Sequence, residues 1–119
     1  MVRGIKAGLI FLVAGLALAL PSLAREVYVK DWGMVEVDTE HFVDLQDQMK
    51  PSSQISRMFY DPTNAYLLVS FQGNFYQYCG IEPDIIDTWL AAPSLSQYYL
   101  DEVQNNYDCR SNPGPDYRK

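Results

Sequence analysis

At 119 residues the chain has room for one domain with a modest core and no more. Its 15 Asp+Glu against 9 Lys+Arg give a net charge of −6. That balance disfavours nucleic acid and anionic lipid as partners, because both are held through clustered Lys and Arg.

Residues 1–24 read as a secretory signal peptide. Arg3 and Lys6 make a basic start, Ala7 to Leu20 is an unbroken apolar run of 14 residues, and Pro21-Ser22-Leu23-Ala24 places small residues for cleavage after Ala24. A membrane span needs roughly 20 apolar residues, so the run is short for an anchor. No cysteine stands at the cleavage point to take a lipid. The expectation is export to the periplasm or the medium, with Arg25 as the first residue. Removing Arg3 and Lys6 leaves 7 Lys+Arg against 15 Asp+Glu, a net charge of −8 on the mature chain. Both cysteines, Cys79 and Cys109, remain. An even pair in an oxidising compartment predicts a disulfide, worth roughly 3–4 kcal/mol for a loop of this length.

From Arg25 to Pro51 the pattern predicts an N-terminal extension. Glu26-Val27-Tyr28-Val29-Lys30 and Val35-Glu36-Val37-Asp38 alternate around Gly33, as a hairpin or as two edge strands. Phe42, Val43 and Leu45 suggest a single helical turn before Lys50-Pro51 breaks it.

Residues 52–110 predict the body of the domain. Ile55 to Tyr60 is a first strand, Asp61-Pro62-Thr63-Asn64 a turn, Ala65 to Phe71 a second strand, and Phe75 to Cys79 a third. The hairpin loop is either Gln72-Gly73 or Gly73-Asn74. The first pairs Val69 with Tyr76 and Leu67 with Tyr78; the second pairs Phe71 with Tyr76 and Val69 with Tyr78. Both put Tyr76 and Tyr78 on the face of Leu67, Val69 and Phe71. Tyr66, Leu68, Phe75 and Cys79 make the other face apolar too, so both need a cover: helices for one, and the N-terminal segment with the Cys109 tail for the other. Glu82-Pro83-Asp84 opens a helix with Ile85, Ile86, Trp89 and Leu90 on one stripe, ended by Ala92-Pro93. Ser94-Leu95-Ser96-Gln97 has the form of a capping box, leading a second helix with Leu95, Tyr98, Tyr99 and Val103 inward. Residues 111–119 are too rich in proline and glycine to be regular. The fold class predicted is α+β: a small three-stranded antiparallel meander followed by two short helices, with an additional N-terminal strand segment.

The ordered set Ser52-Ser53-Gln54-Ile55, Tyr60-Asp61-Pro62, Phe75-Tyr76-Gln77-Tyr78-Cys79-Gly80-Ile81, Leu90-Ala91-Ala92-Pro93-Ser94 and Tyr98-Tyr99 resembles the KTSC domain. That family is named for its place at the C-terminus of some lysyl-tRNA synthetases, and it also occurs as a free-standing bacterial domain. Its marker is the central Tyr-x-Tyr, met here by Tyr76 and Tyr78. The resemblance implies a domain without assigned chemistry, for which RNA binding has been suggested. The signal peptide, the acidity and Cys109 depart from a typical cytoplasmic member.

No catalytic machinery is expected. The one histidine, His41, lies in the acidic run Asp38-Thr39-Glu40-His41, no serine sits in a nucleophile elbow, and both thiols are assigned to the bridge. Glu36, Asp38, Glu40, His41, Asp44 and Asp47 are dense but do not follow a calcium loop, so they read as a solvated face, with no metal or cofactor. A stacking role for Tyr76 and Tyr78 on RNA is the alternative, although no basic groove accompanies them. The reading is an exported, non-catalytic interaction module whose partner is an unknown protein or a second copy of itself.

Overall fold

The computed structural model describes residues 25–118. The leader and cleavage site expected over residues 1–24 lie outside them. No helix of the described residues is long and apolar enough to cross a membrane.

The fold is α+β. Strands β1 (Arg25–Val29) and β2 (Gly33–Val37) form an antiparallel hairpin with Val27 opposite Val35. The two-residue strand β3 (Val43–Asp44) follows, then a 3-10 turn at Gln46–Gln48. Strands β4 (Ile55–Asp61), β5 (Tyr66–Phe71) and β6 (Asn74–Cys79) are the predicted meander. Helix α1 (Pro83–Ala91) and the short α2 (Leu95–Tyr98) close the chain's regular part, α2 widening into a π turn at Tyr99–Val103.

The meander does not stand alone. It is the centre of a six-stranded mixed sheet of order β2-β1-β6-β5-β4-β3. The three-stranded description is corrected by the N-terminal hairpin, which joins β6 through a short parallel pairing of Val29 with Phe75. Because β1 touches β6 only at that end, its start is free to swing over the sheet. Arg25 comes to 5.6 Å from the Phe59 ring on β4, three places away in strand order. The sheet therefore curls. The reason is the second apolar face: Phe59, Tyr66, Leu68 and Cys79 need a cover, and Val29, Val35, Val37 and Phe42 supply it. The residues read as a helical turn are also corrected. Val43 pairs with Tyr60 on the sheet edge, and the turn comes later, where Asp44 Oδ1 accepts from Gln46 N at 3.0 Å.

Gln72 and Gly73, with φ of 51 and 88, form the tight β5–β6 loop. Of the two registers, the one pairing Val69 with Tyr76 and Leu67 with Tyr78 is realised. Helices cover that face: Ile86, Trp89, Leu95, Tyr99 and Val103 pack on Leu67, Val69, Phe71 and Tyr78. The indole Nε1 of Trp89 donates to Leu95 O at 2.9 Å, tying α1 to α2. Only half of the predicted capping box forms. Ser94 Oγ accepts from Gln97 N at 3.2 Å, but the Gln97 side chain donates onward to Asp101 at 2.9 Å instead of back to the cap. Lys50 closes the C-terminal end of α1, its ammonium donating to Ala91 O and Ala92 O at 3.0 and 2.7 Å.

Candidate binding groove

Alternation along β6 gives Tyr76 and Tyr78 the same face, but they sit at different depths. Tyr78 is buried under the helices with its hydroxyl bonded to that of Tyr99, and the two rings meet edge to face at 5.8 Å. Burial, then the bond to Tyr99, pushes its phenol far above the ordinary range. No base can stack on a ring so enclosed. Tyr76 is half-buried, packed against the same core at its margin.

Cys79 ends β6 and is bridged to Cys109, which follows the second helix. The predicted disulfide thus pins the tail onto the third strand of the meander. Beyond it the tail is irregular yet closely seated. A side chain on Gly114 would place its Cβ 2.9 Å from Cys79 Sγ, so only glycine lets the chain pass the bridge. Tyr117 then inserts between Phe42 and Tyr66, at ring distances of 5.0 and 5.4 Å. Arg118 stacks at 3.8 Å on Trp32 and faces Val35 on the β2 edge.

Tyr117 donates its hydroxyl to Asp61, a carboxylate with no solvent exposure. Asp61 also accepts from Asn64 Nδ2 at 2.9 Å and from the backbone N–H groups of Thr63 and Asn64 at 3.0 and 3.3 Å. Burial alone would raise its pKa, but these donors hold it below the ordinary carboxylate range, while burial and Asp61 push Tyr117 up to about 12. The turn that the sequence predicted at Asp61-Pro62-Thr63-Asn64 is therefore also the clasp of the tail.

Between tail, β6 and the end of the second helix lies a groove of about 720 Å³. Tyr76 and Gln77 form its floor, Trp32 and Pro115 one wall, Gln104 and Asn105 the other. Trp32 Nε1 is buried at that wall without a hydrogen-bond acceptor among the described residues. Tyr76, Tyr78 and the two cysteines, all marked in the sequence, lie along this groove, Tyr76 open to it and Tyr78 enclosed beside it. Trp32, Gln77 and Tyr117 carried no such mark. An aromatic residue in an otherwise polar tail was the only local signal for Tyr117.

The acidic run is scattered by the fold. Asp38, Glu40 and His41 alone come together, with one ligand atom each within 4.8 Å, and Glu40 and His41 are exposed. His41 Nδ1 sits 2.9 Å from Asp38, whose hydrogen bond and charge raise the imidazole pKa above 6.5. Two opposite pH responses follow. A raised His41 favours the folded state fully below the unfolded value of about 6.5 and loses that contribution as pH rises through the folded one. A depressed Asp61 contributes above about 3.9 and loses its share as pH falls through its folded value. NMR titration should put His41 above 6.5 and bring it down in Asp38→Asn. Urea midpoints should drop below about pH 4 in the wild type and less steeply in Asp61→Asn. A His41 value at or under 6.5, or equal acid slopes, would contradict the assignment.

Residues 51–107 match the family model of the KTSC domain. These residues are a KTSC domain. It runs from just before β4 to Tyr107, whose carbonyl accepts from Cys79 N at 2.8 Å. The floor of the groove and the Gln104 wall come from the KTSC domain; the Trp32 wall, the tail and Cys109 come from outside it. No match to the chain is found among the curated proteins or the solved structures.

Proposed function

We propose that this protein is an exported, non-catalytic interaction domain, and that the groove beside β6 receives its partner. The observation carrying this reading is a groove whose walls offer free polar groups. The side chains of Lys30, Gln104 and Asn105 line it and have no hydrogen-bond or ion-pair partner among the described residues. Of its other charges, Arg110 is paired with Asp108 at 2.8 Å and Asp116 with Arg118 at 2.7 Å, while Asp31 stands next to Lys30 in the lining. The disulfide supports an oxidising compartment. Against catalysis stand the bridged thiols and the position of His41 outside the groove, hydrogen-bonded to Asp38.

The test is a photo-crosslinking residue placed at Gln104 and expressed in the native host. The expected result is a covalent adduct with a protein, recovered from the exported fraction on a chain beginning at Arg25. Recovery of the intact chain in the cytoplasm would overturn the export reading. Adducts that disappear on ribonuclease treatment would restore RNA as the partner, with Tyr76 as its stacking platform.

A further inference from the structure

The outer edge of β6 is occupied at both ends and open between them. At one end Lys30 N donates to Phe75 O at 2.9 Å; at the other, Cys79 N donates to Tyr107 O at 2.8 Å. Those two bonds show that the peptide groups of residues 75 and 79 point away from β5, and period two turns those of Gln77 the same way. Gln77 finds no backbone partner there among the described residues. Asp31, with φ of 62, turns the chain out of line directly after Lys30, so β1 cannot continue the ladder. A main-chain donor and acceptor are thus left side by side on the groove floor.

Resting on the interaction reading above, we infer that the groove binds a short extended peptide segment by strand addition, one residue of it exchanging main-chain hydrogen bonds with Gln77. An open strand edge is a template for another strand. The occupant's chemistry follows from the lining. With Asp108–Arg110 and Asp116–Arg118 paired internally, the charges that remain are Lys30 and Asp31, one of each sign, which suits a segment without net charge on the Gln77 peptide groups, the amides of Gln104 and Asn105, and the flat walls of Trp32 and Pro115. The molecule uses the same device on its own β2 edge. There Glu36 N donates to Tyr117 O at 3.1 Å, and the irregular tail makes one isolated antiparallel bridge, Arg118 opposite Val35, anchored by one aromatic side chain.

The experiment titrates the 15N-labelled, disulfide-bonded chain with acetyl-Ala-Ala-Xaa-Ala-Ala-amide peptides, varying the centre. The Gln77 amide proton should move downfield and its solvent exchange should slow by about tenfold or more. In the best peptide, one N-methylated position should weaken binding by about tenfold while the others have little effect, since only one donor is shared with Gln77. Gln104→Trp, at an exposed position, should abolish the response with Tm unchanged. An unaltered Gln77 amide with every peptide, or indifference to N-methylation, would overturn strand addition. So would triacetylchitotriose moving the same amide where peptides do not, which would make the groove a sugar site. A protein crosslinked through position 104 with Gln77 unresponsive would sink this inference and leave the interaction reading standing. A Gln77 response with no protein partner in the cell would do the reverse.

Discussion

Tyr78→Ala should cost about 3–5 kcal/mol of folding stability, whereas Tyr76→Ala should cost about 1–2 kcal/mol. The two residues are neighbours in the family marker and share a sheet face, so nothing in the motif distinguishes them. Depth does. Tyr78 is enclosed by the helices and fills space that Tyr99, Val103 and Leu67 cannot close. Tyr76 stands at the margin of the same cluster, half in the groove. Tyr78→Phe keeps the volume and removes only the hydroxyl pairing with Tyr99, at about 1–2 kcal/mol. Urea unfolding of the three variants checks this. Equal losses for both alanine variants, or a loss under about 1 kcal/mol for Tyr78→Ala, would mean that the helices do not bury the strand as described.

Replacing both cysteines by alanine should lower stability by roughly 3–4 kcal/mol on the chain-entropy account of a 30-residue separation. For a small domain with about 5–10 kcal/mol in all, that is a large share. A second effect is local. The bridge holds the start of the tail against β6, and the passage of Gly114 over Cys79 leads Tyr117 into its seat between Phe42 and Tyr66. Without the bridge, the Tyr117 ring and the amide of Glu36, which donates to Tyr117 O, should show new chemical shifts and faster hydrogen exchange. A midpoint shift equivalent to less than about 1 kcal/mol, with Glu36 still protected, would show that the clasp on Asp61 holds the tail unaided.

Much of this architecture could be read from local chemistry. Strand alternation placed Tyr76 and Tyr78 on one face, and turn residues placed the Asp61–Asn64 turn and the β5–β6 loop. Pro83 and Pro93 bracketed α1, and the even cysteine count gave the bridge. Each of those signals is carried by residues a few positions apart, or by a parity with no alternative. Between the two hairpin registers local pattern could not choose, since both keep the tyrosines on the same face.

What only the tertiary structure decided is how the ends of the chain are used. Alternation over residues 25–37, with a second apolar sheet face to cover, says that this segment packs there but not which strand it pairs with. Their place on β6, in parallel, follows from the apolar face of Phe59, Tyr66 and Leu68, contributed by strands about thirty positions later. Val43 joined an edge strand because Tyr60 was there to pair with it. Tyr117 reaches Asp61 across 56 positions, and Arg118 of the tail stacks directly on Trp32. The open edge at Gln77 has no signature of its own, because it is made by two neighbours, Lys30 and Tyr107, leaving a gap between them. Local sequence determined the strands, turns and helices through backbone preference and period; the groove was decided by which distant surfaces had apolar area to cover.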